Sequence, residues 1–127
     1  MYQLAAIRDF IARHYLIGGD WGRENHEHAH HYRLELILQA NALDEHGYLI
    51  DLVDVEAALE RRVEQFRDKL LNTCPEFCQP ALNPSLERFA KIFADALSGD
   101  LRRPGLQSVE VRLWEHERAW AHYRVDL

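Results

Sequence analysis

Two periods of hydrophobic spacing divide this chain. From residue 28 to 40 the sequence HAHHYRLELILQA alternates. His28, His30, Tyr32, Leu34, Leu36 and Leu38 fall on one face, and Arg33, Glu35 and Gln39 on the other. A period of two is that of a half-buried strand. Upstream, LAAIRDFIARHYL is apolar and rich in aromatic and branched residues; as a strand it puts Phe10, Ala12 and His14 on one face. IGGDWGREN between them reads as a glycine-rich loop, and NALDEHGY as a turn followed by a short extended exit. At Asp51 the period changes. Leu52, Val55, Leu59, Val63, Phe66 and Leu70 recur at three and four residues, the stripe of an amphipathic helix. Asp51 is suited to cap it and Asp54 to support its first turn. CPEFCQPALNP is expected to be a loop. A second helix is expected from about Ser85, with Leu86, Phe89, Phe93 and Leu97 on one side and Asn83, Pro84 and Ser85 at its start. SGDLRRPG ends it, and two strands follow, QSVEVRLWE and RAWAHYRV, joined by a turn at His116 and Glu117. The predicted order is ββααββ, an antiparallel α+β arrangement.

Composition narrows the function classes. A length of 127 residues predicts one domain spanning 1–127. Hydrophobic residues are 47% and charged residues 28%, ordinary for a globular protein that buries a real core. The net charge is −6 with acids and bases interspersed, which argues against a nucleic-acid partner, since those require a basic stripe. No apolar run approaches the ~18 residues of a membrane span, and MYQLAAIRDF lacks the layout of a signal peptide. These features predict a cytoplasmic protein. The two cysteines, Cys74 and Cys78, form a lone C-x-x-x-C between prolines. Without a second ligand pair this is a poor zinc motif, and two reduced thiols are expected.

The chemistry-bearing stretch is ENHEHAHHY, residues 24–32, with four of the chain's eight histidines. Strand residues two apart point the same way, about 7 Å apart along the chain. His28 and His30 therefore share a face, while His31 points away. If the two N-terminal strands pair as a hairpin, His14 comes opposite that pair. Three imidazoles would leave an open position on Zn2+, the pattern of a catalytic site. A zinc ion there polarises oxygens and acidifies a bound hydroxyl. Spacing alone leaves plain polar surface as the competing reading.

Several motifs in order resemble one family. FIARHYL and HAHHY are similar to the F-x-A-x-H-x-L and H-G-H-N-Y pair of the 6-pyruvoyl-tetrahydropterin synthase / 6-carboxy-tetrahydropterin synthase family. GYLIDLVDVEAAL resembles the approach to its first helix, NPSLERFAKIFADAL its N-P-T-x-E helix start, and VRLWEHERAWAHYR its final hairpin. The resemblance implies a tunnelling fold: a four-stranded antiparallel sheet with two helices on one face, assembled as a homo-oligomer, commonly a hexamer of two trimers. It implies Zn2+ held by His14, His28 and His30, and a small-molecule pterin substrate. By the same match Glu115 anchors the pterin ring through paired N–H bonds, and Ser85 keeps the hydroxyl of the family's threonine.

The departures bear on activity. Bacterial members carry a catalytic cysteine four residues before the first histidine of H-G-H; here that position is Glu24. The family's Asp-His pair after the first helix is matched by FRDKLLN, so the histidine is missing and Asp68 stands one place late. Glu24 and Asp68 are thus the candidate catalytic groups, with Glu27 and His26 next after Glu24. A carboxylate beside a zinc-bound substrate serves as general base when its pKa approaches neutrality. Some relatives with glutamate in place of the cysteine resemble enzymes that cleave dihydroneopterin triphosphate to 6-hydroxymethyl-dihydropterin. The expectation is a zinc-dependent lyase acting on a dihydropterin such as 7,8-dihydroneopterin triphosphate. The alternative is a paralogue that binds a pterin or purine-like ligand without the family reaction.

Overall fold

Alternation carries the sheet and threefold-to-fourfold spacing carries the helices. The computed structural model describes residues 1–127. Its elements are β1 (Tyr2–His14), β2 (His28–Ala40), α1 (Leu52–Glu64), α2 (Pro75–Cys78), α3 (Leu86–Leu101), β3 (Leu106–His116) and β4 (Ala119–Asp126). The four strands form one antiparallel sheet in the order β1-β2-β3-β4. Its inward residues, among them Phe10, Tyr32, Leu34, Leu36, Leu38, Val109, Val111 and Leu113, are buried with one side of α1 and α3 in a shared core. The expected four-stranded sheet with two main helices on one face is the observed fold. No helix is long and apolar enough to cross a membrane.

Local signals behave as the residue chemistry requires. The Asp51 carboxylate accepts from Val53 N at 2.9 Å, and the Ser85 hydroxyl accepts from Arg88 N at 3.2 Å; each satisfies an amide that a helix start leaves unpaired. Arg62 on α1 grips Asp100 on α3 through two 2.7 Å bonds. Phe89 is packed by Phe10, Tyr32, Phe66, Phe77 and Phe93, so both helices are joined to the sheet through one aromatic cluster.

Two expectations need correction. The apolar stripe predicts a helix running to Leu70, but α1 stops at Glu64. There the amides of Phe66 and Arg67 both turn back to the Val63 carbonyl, and Asp68 adopts φ 60°. The chain thereby docks on β1: Asp68 N donates to Ile11 O at 2.7 Å and Arg13 N to Lys69 O at 2.9 Å. Phe66 stays buried because the turn, rather than another helical turn, aims it inward. The segment from Cys74 to Pro84 is not all loop. Pro75, pre-set for a first helical position, opens the one-turn α2, which drives Phe77 into the core. The two cysteines are unpaired, Cys74 buried and Cys78 exposed.

Candidate metal centre

The β1–β2 register places His14 directly opposite His28, with Ala12 opposite His30. All three rings therefore project from the inward face at one end of the sheet. Their centroids form a nearly equilateral triangle with sides of 4.6, 4.9 and 4.8 Å. Tyr32, the next inward residue of β2, lies beneath them and is fully buried.

The rings are oriented from outside. His14 Nδ1 lies 3.0 Å from the Pro84 carbonyl and His28 Nδ1 lies 2.7 Å from the His26 carbonyl. A carbonyl only accepts, so we assign the proton of both rings to Nδ1, which leaves lone pairs on Nε2. Such outer carbonyls are the usual orienters of metal-binding histidines. The three Nε2 atoms of His14, His28 and His30 are buried and lack hydrogen-bond partners. Buried polar atoms without partners are costly, and three neutral nitrogens converging on one point fit a divalent ion. Burial, and then the neighbouring His30, push the His14 imidazole below its ordinary pKa, favouring the neutral ligand form.

Two carboxylates flank the nitrogens. Glu24 Oε2 lies 3.0 Å from His28 Nε2, and Glu115 Oε1 lies 2.8 Å from His30 Nε2 and 3.7 Å from His14 Nε2. Neither is aligned as a hydrogen bond. One donor atom from each of His14, Glu24, His28 and His30 falls within 4.8 Å of every other. The contact with His30 holds the Glu115 carboxyl below its usual range against an opposing effect of burial, so it is ionised at neutral pH. His30 and Glu115 also border a cleft of about 640 Å³ lined further by Asp9, His31, Arg33 and Trp114. It opens because pairing of β2 with β3 begins only at Arg33 and Trp114, leaving His28 to Tyr32 without a β3 partner.

The loop that carries Glu24 is pinned at several points. The Asn25 amide donates to Leu16 O at 3.0 Å and Gly19 O at 2.9 Å, and its oxygen accepts from Trp21 N at 2.6 Å. Leu16 N donates to Glu24 O at 2.8 Å. Asn72 makes a two-point bond to the Tyr15 backbone at 3.0 and 2.9 Å, and Asn83 Oδ1 accepts from Ile17 N at 2.9 Å. Gly19 sits where a Cβ would come 2.6 Å from the Trp21 ring, so only glycine fits this packing. The sequence reading missed these three asparagines. Asn25 had a visible signal, a side chain suited to local backbone bonds in a glycine-rich loop; Asn72 and Asn83 had none.

The remaining candidates separate. Glu27 is turned away to Arg13 at 2.9 Å. His26 is exposed and contributes its carbonyl rather than its ring. Ser85 caps α3 next to Pro84, whose carbonyl faces His14. Asp68 is exposed and is not brought to the histidines within one chain; it borders a different cleft with Arg13, Gln65 and Lys69. Arg67, one place earlier, pairs with Glu60 and Glu64 at 2.9 Å each.

Comparison with known proteins agrees with this architecture. The chain superposes on 6-pyruvoyl tetrahydropterin synthase from Caenorhabditis elegans with a TM-score of 0.83 at 19% identity, covering 98% of this chain and 96% of that one. A Plasmodium vivax 6-pyruvoyltetrahydropterin synthase, in a variant whose catalytic glutamate is replaced by cysteine, gives 0.80 at 16%, covering 99% and 98%. The Plasmodium falciparum enzyme gives 0.80 at 12%, with the same coverage. Among curated proteins no sequence matches significantly. At these identities the superpositions establish the fold, and the sequence itself establishes the family: the 6-pyruvoyl tetrahydropterin synthase model matches residues 3–126, and the chain belongs to that family.

Proposed function

We propose that this protein is a zinc-dependent lyase acting on a dihydropterin such as 7,8-dihydroneopterin triphosphate, with Glu24 as general base. The observation that carries the reading is the Glu24 carboxylate, held 3.0 Å from His28 Nε2 at the point where three unpartnered imidazole nitrogens converge. The P. vivax relative, whose catalytic glutamate was replaced by cysteine and by alanine in two variants, supports a carboxylate in this role.

In this reading His14, His28 and His30 hold the ion. A bound Zn2+ supplies Lewis-acid polarisation of substrate oxygens and makes a hydroxyl easier to deprotonate. Glu115, already ionised, accepts two parallel N–H bonds from the pterin's amino group and adjacent ring nitrogen. The adjoining cleft of about 640 Å³ falls within the range for a small-molecule site. Glu24 takes a proton from a side-chain hydroxyl. As that C–O becomes a carbonyl, the neighbouring C–C bond breaks and the departing carbon is protonated, leaving 6-hydroxymethyl-dihydropterin. Proton removal from carbon would instead lead to loss of triphosphate. Ser85, beside Pro84, is placed to meet the substrate from the α3 side.

A homo-oligomer, a hexamer of two trimers, belongs to the same proposal. The outer edge of β4 is free, and that of β1 is covered only near Ile11–Arg13. Ile7, Ile11 and Trp120 are exposed on or beside those edges. Free edges of this kind invite pairing with another chain.

The test is incubation of the zinc-saturated protein with 7,8-dihydroneopterin triphosphate, with products resolved chromatographically. At saturating zinc, Glu24→Gln lowers turnover by about 10²–10⁴-fold, the range for a lost general base. Tight dihydropterin binding without any product would sink the lyase reading.

A further inference from the structure

We propose that Glu24 is also the fourth ligand of the resting metal centre, and that an incoming substrate displaces it and so frees it to act as base. This rests on the metal-dependent reading above.

Three observations lead there. The 3.0 Å separation of Glu24 Oε2 from His28 Nε2 is not aligned as a hydrogen bond. It is instead close to the edge of a coordination polyhedron, because Zn–N and Zn–O bonds of about 2.1 Å put tetrahedral neighbours about 3.3 Å apart. Second, a Glu24 oxygen and one nitrogen from each of His14, His28 and His30 lie within 4.8 Å of one another. All four close on one ion with a contraction of at most about 1.5 Å, which the half-exposed Glu24 side chain supplies by rotation. Third, the Glu24 backbone is fixed by the Leu16 amide and by Asn25 beside it, so the carboxylate has a defined root and a free end. Glu115 does not compete for this role. It approaches His30 and His14 from the cleft side and falls outside the four-donor set.

The arrangement has a chemical consequence that a cysteine thiol four residues before His28 would not share. A ligating carboxylate has its lone pair engaged and abstracts no proton. Substrate oxygens that take the fourth position release an anionic carboxylate next to the proton to be removed. The base is thus available only when substrate is in place, and the closed sphere keeps the ion from being lost between turnovers.

The experiment is metal competition and cobalt spectroscopy on the full chain, neither of which requires turnover. Zn2+ affinity is measured against a chromophoric chelator for the wild type, Glu24→Gln and Glu27→Gln. Loss of a direct ligand is expected to weaken affinity by at least about 10-fold, the size that even an outer partner of a ligand reaches. Glu27→Gln, which breaks only the pairing with Arg13, leaves affinity unchanged. Co2+-loaded wild type shows the intense visible absorption of a four-coordinate ion and is unmoved by azide, whereas Co2+-loaded Glu24→Gln takes up azide with a spectral change. Addition of 7,8-dihydroneopterin alters the wild-type spectrum. Equal Zn2+ affinity in the wild type and Glu24→Gln, azide uptake by the wild type, or a spectrum indifferent to dihydroneopterin would overturn the proposal. If affinity is equal while Glu24→Gln still loses turnover, the ligand role falls and the lyase reading stands; if the wild type binds no metal, both fall.

Discussion

Asn25→Ala is expected to loosen the Glu24 loop without loosening the sheet. The side chain makes three hydrogen bonds, all to backbone: to Leu16 O, Gly19 O and Trp21 N. Net contributions of such bonds are about 0.5–1 kcal/mol each in partly wet positions, so the variant loses about 2 kcal/mol of local order. That raises the open population of the loop about 30-fold. The reporter is the Leu16 amide, which donates to Glu24 O at 2.8 Å only while the loop is closed. Its hydrogen exchange should accelerate about 30-fold in Asn25→Ala, while amides in the centre of β2 exchange as before. Asn25→Asp keeps the acceptor for Trp21 N and loses both donor bonds, so it should fall between the two. A positioning role also requires that kcat drop with little change in KM, because Glu115 and the cleft are untouched. The reasoning fails if Leu16 exchange changes less than about threefold, or if β2 amides accelerate equally, which would mean global rather than local destabilisation.

Three further outcomes are expected. Free Zn2+ at 1,000 times its Kd should stabilise the fold by about 4 kcal/mol, read as a rise in Tm that a chelator reverses and that His14→Ala abolishes; no metal-dependent shift in the wild type would contradict the convergence of the three Nε2 atoms. Phe89→Ala should cost about 3–5 kcal/mol in denaturant unfolding, because the ring is fully buried against five other aromatic side chains; a loss under about 1 kcal/mol would mean the cluster repacks freely. Asp100→Asn should cost about 1–2 kcal/mol at pH 7, by breaking the bidentate pair with Arg62. Arg62 holds the Asp100 carboxyl below its ordinary range, so this stabilisation is complete above the unfolded value of about 3.9. It disappears as pH falls through the lower folded value, and a wild-type advantage that persisted there would refute the assignment.

Much of the fold was legible because burial on one face imposes a period that the sequence carries openly. β2 reads correctly from His28 to Ala40, since a one-residue slip would expose Tyr32 and three leucines together. Asp51 and Ser85 mark helix starts because their side chains bond orphan amides within a few residues of their own positions. The end of α1 was not legible for the opposite reason. Phe66 and Leu70 continue the helical spacing, and what stops the helix is a contact with distant residues, Asp68 N to Ile11 O and Arg13 N to Lys69 O. The one-turn α2 was hidden similarly, since its only strong anchor is the packing of Phe77 on Phe89.

The candidate site divides along the same line. His14, His28 and His30 could be read because strand alternation and hairpin register together bring them to one face, and neither requires knowledge of loops. Glu24 could be named from its distance to His28, but its aim could not. That aim depends on Asn25, on Leu16 and on a glycine at position 19 that lets Trp21 fold across the loop. Asp68 shows the limit of matching by position: it stands one place from a motif residue, yet φ 60° and the docking of its amide on β1 leave it exposed and apart from the histidines. Its neighbour Arg67 is committed to Glu60 and Glu64, so nothing in that turn replaces the missing histidine as a proton carrier. The proton chemistry of this chain therefore concentrates on Glu24. If Glu24→Gln left lyase turnover intact at saturating zinc, no other side chain within reach of the three Nε2 atoms except Glu115 would remain to perform it, and the double variant would decide between them.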